Sequence, residues 1–133
     1  AGVAPSPEAV ETPRRLNRCA IASGRLRVLE GSVDHLPFRD GFFDVVTAFE
    51  TTYFWPDLQA GLIEIRRVLS PGGRLVITNE VADREAAGHW AERLGMNVPD
   101  GRSLAALAHE AGFLTADISL HPRHGWLRLV TTR

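Results

Sequence analysis

Phe43-Asp44-Val45-Val46-Thr47-Ala48-Phe49 is a short, nearly continuous apolar run. Its length and its β-branched and aromatic content predict a strand, and its continuity predicts burial on both faces, as in a parallel sheet. On its C-terminal side comes an aromatic-rich loop, Glu50 to Trp55. Pro56-Asp57 then opens a helix that carries Leu58, Leu62, Ile65 and Leu69 on one stripe. Ser70-Pro71-Gly72-Gly73 ends that helix, and Leu75-Val76-Ile77-Thr78 forms the next strand. This strand–helix–strand unit sets the architecture.

Working outward, Leu26 to Glu30 reads as another short strand, followed by a loop from Gly31 to Gly41. Upstream, Ser6 caps a helix that starts near Pro7, with Glu8 and Glu11 at its positive end. It is expected to run to about Ala22 with Val10, Leu16, Ala20 and Ile21 inward, although Pro13 removes a backbone donor. Gly2-Val3-Ala4 is apolar but short. Downstream, a polar helical segment runs from about Arg84 to Leu94 and a second helix from Leu104 to Ala111. Two strands, Ala116–Leu120 and Trp126–Thr131, flank a turn at His121–Gly125. The rhythm is that of a three-layer α/β sheet with helices on both faces and an antiparallel finish.

Composition narrows the function classes. The 133 residues are 44% apolar and 23% charged, which fits one globular domain and excludes a disordered tail. No apolar run reaches the ~18–20 residues that span a bilayer, and no signal-peptide pattern opens the chain. The 15 basic residues, all arginine, nearly cancel 16 acidic ones. That balance gives no reason to expect nucleic acid or an anionic membrane as partner. A single cysteine, Cys19, supports neither an internal disulfide nor a zinc cluster. The expected location is cytoplasmic.

In open α/β sheets, ligands bind at the carboxyl ends of the strands. Three segments sit there: Gly31-Ser32-Val33-Asp34, Phe49 to Trp55, and Asn79-Glu80. Polar and aromatic side chains meet apolar strands at these points, as in a small-molecule pocket. Glu50 and Tyr53 are the candidate catalytic residues, as base or orienter. Trp55, Asn79 and Glu80 are candidates for substrate contact. Each also has a plain packing reading: the aromatics as a rim, the carboxylates as a solvated loop. Glu64 is expected to pair with Arg67 three positions on. Asp44 reads as a structural turn or cap residue. Arg14, Arg15 and Arg18 read as a solvated face, and Cys19 as a small core residue. His121 and His124 lack a third ligand, so no metal is expected.

Several stretches together resemble one family. Gly31 to Phe38 (GSVDHLPF), Phe43 to Val46 (FDVV), Glu64 to Gly73 (EIRRVLSPGG) and Leu75 to Thr78 follow, in order and spacing, the class I S-adenosylmethionine-dependent methyltransferases. AFETTYFWPD, ITNE, DGRSL…AGF and GWLRLV are similar to a small-molecule subgroup. The resemblance implies a Rossmann-like sheet, mostly parallel, with a C-terminal antiparallel hairpin. It implies S-adenosylmethionine as cofactor, contacted by Ser32, Val33 and Phe49.

The resemblance also implies that Gly2–Ala4 is the family's second strand, and that its first strand and glycine-rich loop would precede Ala1. Ala4 stands where the family carries an acidic residue that binds the ribose hydroxyls, so weak cofactor binding is expected. The strand Phe43–Phe49 would then keep an unpaired edge, and a homodimer is the expected remedy. The rival reading is a non-catalytic binding or oligomerisation module of the same fold. A nicotinamide oxidoreductase would need a G-x-G-x-x-G loop, which this sequence lacks.

Overall fold

The computed structural model describes all 133 residues. Strand β1 (Gly2–Ala4) pairs in parallel with β2 (Val28–Glu30). Strand β3 (Phe43–Phe49) pairs in parallel with β4 (Leu69–Asn79). Strand β6 (Leu127–Thr132) runs antiparallel to β4, and β5 (Asp117–Leu120) runs antiparallel to β6. The strands form two sheets, β1-β2 and β3-β4-β6-β5. The α/β, Rossmann-like class and the C-terminal antiparallel hairpin are as the sequence implies.

Helices start where side chains can satisfy their first backbone donors. Ser6 caps α1 (Pro7–Leu16) by accepting from the N–H of Ala9 at 3.2 Å. Asp57 caps α3 (Leu58–Val68) from Ala60 at 2.9 Å, and Asp100 caps α6 (Gly101–Glu110) from Ser103 at 2.7 Å. Leu62 and Ile65 of α3 and Leu104 and Ala108 of α6 pack in one cluster with Ala48, Leu75, Ile77 and Leu129. The register aligns Ala48, Ile77 and Leu129 across three strands, so this is one face of the larger sheet. Each fully buried leucine or isoleucine contributes about 1.5–3 kcal/mol.

The double-sided burial expected of β3 is absent. Only Ala48 of this strand is buried, while Val45 is 54% and Phe49 59% exposed. The core cluster with α3 and α6 lies on the Ala48 face, so the side chains of Val45, Thr47 and Phe49 project from the other, uncovered face, and the strand is also an edge. The N–H of Glu50 donates to the carbonyl of Thr78 at 3.0 Å, so alternate residues from Glu50 backwards bond towards β4. Val45, Thr47 and Phe49 therefore turn their backbone groups to the other edge, and β3 is the outermost strand of its sheet.

Smaller expectations also change. The first helix is two: α1 ends at Leu16 and α2 (Arg18–Ala22) restarts after Asn17. That break leaves Leu16 exposed at 70%, and Cys19 is exposed rather than part of the core. Arg14 is not merely solvated, because its guanidinium donates twice to the carbonyl of Val28, at 2.8 and 3.1 Å. The segment after β4 splits into α4 (Arg84–Ala87) and α5 (His89–Arg93) at Gly88, whose φ of 52° is left-handed.

Candidate functional site

Strands β3 and β4 are adjacent and parallel, so they end on the same edge of the sheet, with Phe49 opposite Thr78. The chain leaves β3 through Glu50, whose φ of 55° is the only left-handed backbone outside glycine. Such a conformation costs about 1–2 kcal/mol for a residue with a Cβ. Here it aims the Glu50 carboxylate across to the neighbouring strand end. Oε1 of Glu50 accepts the N–H of Glu80 at 2.7 Å.

A 3-10 turn, Thr52–Phe54, follows. Thr52 is fully buried and exchanges hydrogen bonds with the equally buried Asn79: its Oγ1 donates to Oδ1 at 3.1 Å and accepts from Nδ2 at 2.9 Å. Tyr53 is buried, and its hydroxyl accepts from the N–H of Val81 at 2.9 Å and donates to the Val81 carbonyl at 3.2 Å. Side chains from one strand end thus hold the backbone of the other.

These contacts frame a cavity of 310 Å³. Glu50, Tyr53 and Glu80 meet in its wall, and Phe54, Val81, Trp90, Leu94 and Met96 make the rest mainly apolar. Burial raises the Glu50 carboxyl above its ordinary value and the nearby Glu80 charge adds to the rise, while the Glu80 N–H opposes it. Burial also pushes the Tyr53 hydroxyl up to about 12, so it stays protonated at neutral pH.

The cavity brings together Glu50, Tyr53 and Glu80, but not the other candidates. Asn79 is enclosed with Thr52 and supports the frame rather than facing a substrate. Trp55 lies against α3 in place of a substrate contact: a Cβ on Gly61 would come within 2.9 Å of its ring. Val33 packs on the same glycine, with 3.2 Å to the same position, so its side chain is turned to the core. Phe49 is exposed at the end of β3, and Ser32 stands beyond β2 in a bridge with His35. The apolar wall from α4 and α5 was not among the sequence candidates. Its signal is the spacing of Ala87, Trp90 and Leu94 within a polar segment.

A larger groove of 670 Å³ lies on α1, lined by Pro7, Val10, Glu11, Arg14, Arg15 and Glu30. It is broad and open, with only one apolar residue.

Further contacts settle the neighbouring loop. The Arg67 guanidinium grips both oxygens of Glu64 at 2.7 and 2.8 Å and reaches Asp40 at 2.6 Å. Glu64 in turn accepts the N–H of Leu36 at 2.8 Å. The E-x-x-R pair therefore fixes the Leu36-Pro37-Phe38 loop on α3. Asp44 accepts from Ser70 at 3.0 Å, which is a structural role.

Residues 1–77, more than half of the chain, match the family described as methyltransferase domain. The chain belongs to the methyltransferase domain family. The O-methyltransferase rstn1 of Aspergillus nomiae is 30% identical over 118 residues, covering 84% of this chain and 52% of its own length. The uncharacterized methyltransferase YdaC of Bacillus subtilis is 29% identical over 93 residues, covering 70% of this chain and 48% of its own. This methyltransferase-family chain thus spans about half the length of these two curated relatives. Among solved structures, the SAM-dependent methyltransferase and possible histamine N-methyltransferase of Thermotoga maritima superposes with a TM-score of 0.74. It is 23% identical and covers 98% of this chain and 72% of its own, a likeness of fold.

Proposed function

We propose that this domain takes part in methyl transfer from S-adenosylmethionine to a small molecule bound in the cavity at the ends of β3 and β4. The observation that supports it best is the convergence of Glu50, Tyr53 and Glu80 on one mainly apolar cavity, at parallel strand ends of a methyltransferase-family chain.

The chain's own residues fit the cofactor in part. Phe49 offers an exposed ring at the end of β3 and Ser32 a hydroxyl beyond β2. Ala4, at the end of β1, offers no acceptor for ribose hydroxyls, a loss of about 1–3 kcal/mol. The chemistry the cofactor supplies when bound is a methyl group already activated on a sulfonium, so the protein's task is positioning and proton management. Glu50, its carboxyl held above the ordinary value by burial, is placed in the cavity wall to take a proton from an acceptor group. The protonated Tyr53 hydroxyl holds Val81 and so fixes the cavity wall. The apolar wall offers a surface for the body of the acceptor.

Two copies of the chain are proposed to associate through β3. Val45, Thr47 and Phe49 present unpaired backbone groups and exposed side chains along one edge, which a strand from a second copy would satisfy. No helix is long and apolar enough to cross a membrane.

Methyl-tritiated S-adenosylmethionine at millimolar concentration, offered with a panel of small acceptors, tests the reading. Label transfer that falls at least tenfold in Glu50→Ala is expected. Cofactor binding with no transfer to any acceptor would favour the non-catalytic module.

A further inference from the structure

We propose that the cavity at the ends of β3 and β4 takes an organic amine as its ammonium ion: a small apolar body carrying one positive charge. This rests on the small-molecule reading above and narrows it to a chemical class.

The argument is an inventory of donors and acceptors. Two carboxylates, Glu50 and Glu80, stand in the wall, and no arginine or histidine lines it. The donors that the strand ends could offer a ligand are already engaged. The Glu80 N–H is on Oε1 of Glu50, the Val81 N–H is on the Tyr53 hydroxyl, and that hydroxyl donates to the Val81 carbonyl. What remains is mainly acceptors, Oε2 of Glu50 and the Glu80 carboxylate, beside one neutral donor, the indole N–H of Trp90. An anionic ligand would meet like charge and no cationic donor, whereas an ammonium group supplies donors and a neutralising charge together.

The walls agree with this reading. Phe54 and Trp90 present aromatic rings at about half exposure, 58% and 50%. Aromatic faces attract cations; Trp90 already has the Arg93 guanidinium 5.5 Å and the His89 ring 4.9 Å from its ring centre, which leaves Phe54 as the ring open to a ligand cation. The remaining wall residues, Val81, Leu94 and Met96, suit an apolar body. A volume of 310 Å³ matches a small amine, at the lower end of ligand pockets.

The experiment uses the whole chain and three probes of similar shape: 2-phenylethylammonium, 2-phenylethanol and 3-phenylpropionate. Binding is read at about pH 7 by Trp90 fluorescence, with Trp90→Phe to assign the signal and ligand-observed NMR as a second readout. The ammonium ion is expected to bind about tenfold tighter than the alcohol, the size of one charge-assisted contact. The carboxylate is expected not to bind. Glu80→Gln should erase the preference for the ammonium ion while leaving the alcohol's affinity within about twofold.

Equal binding of ammonium and alcohol would overturn the amine and leave the small-molecule cavity standing. Binding of none of the three would remove both readings. Competition against the ammonium probe by S-adenosylmethionine, but not by its neutral product S-adenosylhomocysteine, would reassign the charge to the cofactor's sulfonium and overturn the amine.

Discussion

The N–H of Glu80 donates to Oε1 of Glu50 across 2.7 Å, so a side chain leaving β3 fastens the turn that leaves β4. Glu50 makes this contact from a left-handed backbone, φ 55°. Two terms therefore oppose each other at one position. Glu50→Ala loses the hydrogen bond and keeps the strain, whereas Glu50→Gly loses the bond and relieves the strain. The glycine variant is expected to be more stable than the alanine variant by about 1 kcal/mol in urea denaturation. Equal stabilities would show that the conformation carries no cost.

Gly61 sits inside α3, where alanine would normally gain about 1 kcal/mol of helix propensity. A Cβ there meets the Trp55 ring at 2.9 Å and Val33 at 3.2 Å. Gly61→Ala is therefore expected to destabilise the domain by about 1–2 kcal/mol and to displace Trp55. A red-shifted tryptophan emission, absent when Trp55→Phe is combined with it, would report that displacement. A stabilised Gly61→Ala protein would mean that Trp55 yields freely.

Glu64 gives a pH dependence. Its hydrogen bonds with Arg67, then the Leu36 N–H and the Arg67 charge, hold its carboxyl below the ordinary value of 4.5 against the opposing effect of burial. A depressed carboxyl stabilises the fold above the unfolded value, and that contribution is lost as pH falls through the lower folded value. Glu64→Gln is expected to cost about 1 kcal/mol at neutral pH, since Arg67 is partly solvated and screened. The gap to the parent should narrow as pH falls from 4.5 through the lower folded value. A gap that does not narrow on acidification would contradict the charge-based account.

Much of this was legible in the sequence, for identifiable reasons. The limits of β3 and the α3 stripe of Leu58, Leu62 and Ile65 follow from apolar pattern and a capping aspartate, whereas Leu69, expected as the fourth of the stripe, opens β4, which also takes in the expected helix stop at Ser70–Gly73. The Glu64–Arg67 pair follows from helix spacing. Placement at the strand ends also located Glu50, Tyr53 and Glu80. Burial was harder to read. Val45 and Phe49 have core-like side chains, yet their exposure depends on whether another layer covers their face of β3, a long-range fact that no local window contains. Trp55 and Asn79 have the chemistry of ligand contacts, but Gly61 and Thr52 claim them from elsewhere in the chain. Trp90 was hidden within a segment whose overall polarity masked its apolar spacing.

Light scattering at low micromolar concentration tests the β3 edge. A dimer is expected, and Val45→Lys, placing a charge on that edge, should shift it to monomer without loss of helical content. A parent protein that is monomeric at tens of micromolar would show that the exposed edge needs no second copy.

Backbone amide shifts recorded while S-adenosylhomocysteine is added to millimolar concentration test most directly whether the β3 and β4 ends form the cofactor and acceptor site. Perturbations are expected at Ser32, Phe49, Glu50 and Glu80, with an affinity weaker than micromolar because Ala4 gives the ribose no acceptor. Unmoved amides at those four residues, or shifts confined to the groove on α1, would contradict the site, and submicromolar affinity would contradict the weak anchor.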